Sequence, residues 1–196
     1  GMQLWYLHSL KDETQNLRFA NGTSNDVYET GQLANVFGIG AKWQVGRQAV
    51  LSGEYGQNRT DFGRLMNGST VTAYKTREAV YDIKGREKGS NPSFWTLRLD
   101  IGKADTRVKG SWGAFADYKA FQHGSFFGNG TAFLPDRYLD GMKSMSVGAG
   151  YVPIENLLLE AAYTFNVHSL GKRDTLYGSE KFTLGNMASI QMTYRF

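Results

Sequence analysis

The chain has 196 residues, no cysteine, 24 glycines and a formal net charge of +4 at neutral pH. Without cysteine there is no disulfide scaffold and no thiolate metal site, and the mild charge includes no dense basic run of the kind that binds nucleic acid. The longest purely aliphatic run is Leu157–Leu159, far short of the roughly 20 residues of a membrane-spanning helix; a membrane-crossing fold would have to be a β-barrel, where every backbone polar group finds a partner.

Gly1 ahead of Met2 reads as a cloning remnant, so an export signal is expected upstream. Residues 2–10 form a first strand whose facing stays open, because Leu4 and Tyr6 share one parity while Trp5 and Leu7 share the other. After a long polar segment (11–32), Phe37, Ile39, Ala41, Trp43 and Val45 alternate with Gly38, Gly40, Lys42 and Gln44. This period of two gives an extended strand with one apolar and one polar face. A short turn at Gly46–Gln48 leads to a weaker strand in which Leu51 and Tyr55 oppose Ser52 and Glu54.

A second long segment, 61–93, follows. Its stretch Val71–Ile83 is long enough for a helix with Tyr74, Glu78 and Tyr81 on one side, or forms a hairpin; either would act as a constriction at a barrel mouth or as a surface loop. Trp95, Leu97, Leu99 and Ile101 then oppose Thr96, Arg98 and Asp100. Beyond a short turn at Ala104–Thr106, Val108, Trp112, Ala114, Ala116 and Tyr118 oppose Lys109, Ser111, Asp117 and Lys119. A third long segment, 122–140, precedes Met145, Val147, Ala149 and Tyr151, which alternate with Ser144, Ser146, Gly148 and Gly150.

After the turn at Pro153–Asn156 comes the clearest strand, with Leu157, Leu159, Ala161, Tyr163, Phe165 and Val167 against Glu160, Thr164, Asn166 and His168. The last long segment (169–180) leads to a terminal strand. There Ala188, Ile190, Met192, Tyr194 and Phe196 oppose Ser189, Gln191, Thr193 and Arg195. Eight strands result, with tight turns on one side and long loops on the other, the asymmetry of an outer-membrane barrel. An even count puts both termini on the short-turn, periplasmic side.

A lipocalin-like barrel also alternates, with its apolar face inward. Here the polar parity carries charges of both signs at mid-strand: Lys42, Glu54, Arg98, Asp100, Lys109, Asp117, Lys119 and Glu160. The apolar parity carries Trp43, Trp95, Tyr151 and Tyr194 near strand ends, where interfacial aromatic belts sit. The expectation is therefore an all-β antiparallel transmembrane barrel of outer-membrane type over residues 1–196, with the charged residues lining its lumen.

The terminal strand, with Tyr194 two positions before Phe196, resembles the C-terminal strand that barrel-assembly machinery reads. Gly102–Phe121 (GKADTRVKGSWGAFADYKAF), with its G-x-A-D turn at Gly102–Asp105 and G-S-W-G at Gly110–Gly113, is followed by GYVPIENLLLEAAYTF at 150–165. These stretches resemble the C-terminal half of the outer-membrane porins that carry an N-terminal S-layer-homology domain, over residues 94–196. The resemblance implies an outer-membrane channel tethered to the cell wall by a periplasmic domain. Family barrels exceed eight strands, so it also allows that the chain is the C-terminal segment of a larger barrel.

The function expected is passive diffusion of small hydrophilic solutes in the bacterial outer membrane, with no enzymatic activity, cofactor or metal. Expected partners are outer-membrane lipid and the assembly machinery; a homo-oligomer stays open, and nucleic acid is not a partner. In a wide barrel the charges would set ion preference; in a closed eight-strand barrel they would pair into a plug. A structural or adhesive barrel is the alternative, and a lipid-modifying enzyme built on His168 and Ser169 a remote one. His8, His123 and His168 sit on different elements without ligand spacing. The sequons at Asn21, Asn67 and Asn129 read as Asn-Gly turns.

Overall fold

Alternating apolar and polar side chains suit a pleated strand whose two faces meet different surroundings, and eight such strands build the central sheet of the computed structural model. The structure describes residues 1–9, 16–20, 25–29, 32, 34–70, 73–75, 81–83, 86–125, 138–171, 173–175, 178–180 and 183–195. The sheet strands are β1 (Met2–His8), β2 (Asn35–Gln44), β3 (Ala49–Asn58), β4 (Ser93–Gly102), β5 (Trp112–Phe121), β6 (Met142–Ile154), β7 (Leu157–Ser169) and β8 (Met187–Tyr194). They are hydrogen-bonded in chain order, each antiparallel to the next, and β1 and β8 form the two edges.

Connections of unequal length separate the two ends of the sheet. Residues 45–48 join β2 to β3, and Glu155 with Asn156 joins β6 to β7, Asn156 taking the positive φ of 67° that so tight a turn requires. The longer connections carry small hairpins outside the main sheet, at Asn16–Ala20 with Asn25–Glu29, Ala73–Lys75 with Tyr81–Ile83, and Arg173–Thr175 with Gly178–Glu180. Of the two forms open to the stretch 71–83, its described residues take the hairpin, Ala73–Lys75 pairing with Tyr81–Ile83. The helix among the described residues is α1 (Asp61–Met66), which the alternation pattern does not anticipate. Thr60 caps it, its Oγ1 accepting from the Gly63 N–H at 2.9 Å, and Asp61 in the first turn suits the helix dipole. Among the described residues, no helix is long and apolar enough to cross a membrane.

The burial pattern is inside-out. Along β2 to β7 the apolar parity is largely exposed (Ile39, Trp43, Leu97, Trp112, Val147, Leu159), while Asp117, Ser144, Ser146 and Thr164 of the polar parity are covered. Val167 departs from the expected alternation and is buried, because the backbone turns to a positive φ at Asn166. Register continues these faces from strand to strand: Ile39, Tyr55 and Trp95 lie opposite one another in turn, as do Trp112, Tyr151, Leu159 and Met192. The edge strands expose still more, Ile190 to 86%, because one flank has no neighbouring strand. β1 resolves its ambiguity in the same register: Met2, Leu4 and Tyr6 join the apolar face, and Trp5 joins the polar one.

Candidate functional site: the charged face of the sheet

Two short strand segments supply the centre of the polar face. Arg98-Leu-Asp100 on β4 and Asp117-Tyr-Lys119 on β5 place their charged residues on one side, because side chains two apart share a face. Arg98 is directly opposite Asp117 across the ladder. The Lys119 Nζ donates to Asp117 Oδ1 at 2.6 Å, and Arg98 donates to Asp100 Oδ1 at 2.9 Å through Nε. A second Arg98 nitrogen lies 3.5 Å from Asp117 Oδ2, and the guanidinium sits 3.9 Å above the Phe115 ring. Two cations and two carboxylates thus neutralise one another, with the Asp117 side chain only 2% exposed.

Space remains on both sides of this cluster. A cavity of about 740 Å³ extends over β4 to β7 and reaches Glu160, and another of about 470 Å³ extends over β1 to β5 and reaches Lys42 and Glu54. Arg98, Asp117 and Lys119 line both. Of the eight charged residues expected on the polar face, the structure therefore gathers Arg98, Asp100, Asp117 and Lys119 in one cluster, and sets Lys42, Glu54 and Glu160 along its flanks. Lys109 is a correction. The turn after β4 runs over residues 103–111 rather than Ala104–Thr106, and β5 starts at Trp112, so Val108 and Lys109 belong to the turn. Gly102 and Gly110 take positive φ (69° and 81°), a left-handed backbone that ends the alternation.

An aromatic layer crosses the polar face near its long-loop end. The Trp5 indole occupies the space above Gly38, donates to Glu54 Oε1 at 2.7 Å and stacks on Phe94, which occupies the space above Gly56. Phe94 in turn stacks on Phe121 with ring centroids 5.1 Å apart, and Val36 and Leu139 pack against the pair. Gly38 and Gly56 leave these rings the room that any side chain would fill. Sequence reasoning missed this layer; the available signal was aromatics on the polar parity (Trp5, Phe94, Phe121) in a row that also holds two glycines.

On the apolar face, Trp43, Tyr151 and Tyr194 stand at the short-turn ends of β2, β6 and β8, joined by Trp112 of β5, while Trp95 stands at the long-loop end of β4 and stacks on Tyr118. Phe196 lies outside the described residues, as do Asn21 and Asn129; Asn67 is the C-cap of α1. The His168 ring is hydrogen-bonded to Asn166, two residues away on β7. His123 is paired with Asp140, which ties together the two ends of the connection between β5 and β6. Among known proteins, no family model matches the chain, and no curated protein matches its sequence.

Proposed function

We propose that the chain forms the wall of a porin-type β-barrel in the bacterial outer membrane, passing small hydrophilic solutes by diffusion along its polar face. The observation that carries this reading is the inverted burial: large apolar side chains are exposed across the sheet, while Asp117 and its polar neighbours Ser144, Ser146 and Thr164 are covered on the opposite face. In water, such a continuous apolar face would drive aggregation; against lipid it is the favoured arrangement, and aromatic rims at the strand ends suit the two interfaces. Cavities beside ionised side chains offer hydrated volume to a polar solute. Tyr194 and Phe196 serve in this reading as the signal for the assembly machinery.

Single-channel recording in a planar bilayer tests it, with discrete conductance steps expected. A protein that stays monomeric in plain buffer without detergent sinks the membrane reading altogether. One observation favours a second outcome: the Trp5, Phe94 and Phe121 layer covers the long-loop end of the polar face. A protein that inserts and stays electrically silent is then a closed, structural or adhesive barrel.

A further inference from the structure

At the short-turn end, the turn 45–48 and the turn 103–111 wall a cleft of about 690 Å³. Arg47, Lys103 and Lys109 line it together with Gln44, Gln48 and Trp112, and the lining contains no carboxylate. Among the described residues, none of these three cations has an ion pair. Asp105, the acid of the same turn, is engaged by Arg107 through donors at 3.1 and 3.0 Å. That hydrogen bonding holds its carboxyl well below the usual range, at about 2, so its charge is spent locally.

The walls are firmly built. Gly102 N donates to Gln48 O at 2.8 Å and joins one turn to the other. Ser111 Oγ accepts from Asp105 N at 3.0 Å, and Gly110 N donates to Val152 O at 2.7 Å. Three cations are therefore held around one opening, and the nearest acid, Asp105, gives both its oxygens to Arg107 while acting on Lys103 only through space. Trp112 also belongs to the aromatic rim with Trp43, Tyr151 and Tyr194, and such rims lie at headgroup depth in a bilayer. Arginine and lysine are the side chains suited to phosphate oxygens.

We propose that this cleft holds the phosphate of an anionic lipid headgroup from the leaflet on the short-turn side. The inference rests on the membrane reading given above. The test uses the full chain refolded into nanodiscs of mixed phosphatidylglycerol and phosphatidylcholine, with retained lipids counted by native mass spectrometry and insertion checked by far-UV dichroism. The protein should retain phosphatidylglycerol preferentially. Each cation near an anionic surface contributes roughly a fivefold preference, so the triple variant R47Q/K103Q/K109Q should lose on the order of a hundredfold at low salt. The single variant Arg47→Gln, on the other turn from the lysines, should lose about fivefold and guards against a folding defect. The charge-keeping variant K103R/K109R should retain the preference.

In a parallel arm, inorganic phosphate is titrated against the protein in detergent and followed by phosphorus NMR. Equal lipid retention by the wild type and the triple variant overturns the proposal. So does phosphate binding that depends on the three cations while lipid retention does not. Failure to insert into any nanodisc sinks the membrane reading itself, whereas insertion without lipid preference removes only this inference.

Discussion

Replacing Asp117 with asparagine tests whether the charge cluster is as tightly coupled as its geometry implies. The carboxylate is 2% exposed, and the change leaves Lys119, 20% exposed, facing a neutral amide oxygen where it now contacts a charged one at 2.6 Å. Removing one partner of a buried pair costs about 3–5 kcal/mol, because the other charge stays desolvated. Arg98 keeps Asp100 and is 41% exposed, so water screens most of its share and the expected loss is near the lower limit, about 3 kcal/mol. Asp100→Asn removes a carboxylate that is 39% exposed and should cost about 1 kcal/mol or less. Converting the pair together, Asp117→Leu with Lys119→Met, removes both charges and should recover most of the loss. Urea titration of vesicle-inserted protein, read by tryptophan fluorescence, supplies the three values. If Asp117→Asn lies within 1 kcal/mol of Asp100→Asn, the buried-pair reasoning is wrong.

Gly56→Ala would drive a methyl into the Phe94 ring; overpacking of this kind costs about 1–3 kcal/mol, and Phe94→Leu in the same background should return most of it in the same titration. Arg107→Gln removes the hydrogen bonds that depress Asp105, so carboxyl carbon NMR should show its titration moving up from about 2 towards the ordinary value. Because the folded value is the lower one, the stability that this contact supplies is present above about pH 4 and is lost as pH falls through about 2; an unchanged titration in the variant refutes the assignment. Deleting Phe196 should reduce insertion in cells while refolding into micelles stays near normal, as immunoblots of outer-membrane fractions would show; unchanged insertion argues against the terminal signal.

The eight strands were legible because each meets two different surroundings, and parity records that difference residue by residue. Legibility failed where parity lost its cause. In the turn 103–111, Val108 and Lys109 continue the alternation of β5 by accident, while the backbone has already left the sheet at Gly102 and returns only after Gly110. Strand β1 was ambiguous because Trp5 places a large aromatic on the polar parity. Only its partners explain that: Gly38 opposite, with no side chain, and Glu54 one strand further, with an acceptor for the indole. The cluster was partly legible, since R-x-D and D-x-K fix shared faces, but their registration depends on the length of the turn between β4 and β5. Helix α1 is six residues long, too short for any periodic signal.

Glycine placement explains why the polar face is filled at its ends and open in its middle. Gly102, Gly113 and Gly150 form one row at the short-turn end. The backbone of the turn 103–111 folds against them: a Cβ on Gly113 would lie 3.1 Å from Ala104 N, and one on Gly150 would lie 3.4 Å from the Ala104 methyl. At the opposite end, Gly38 and Gly56 admit the rings of Trp5 and Phe94. Between these layers the rows carry Lys42, Glu54, Arg98, Asp117 and Lys119, whose long side chains leave the cavities beside them. In the porin reading, the aromatic layer and the short-turn segment set the width of the passage, and the neutralised cluster between them exerts little net field on a passing ion.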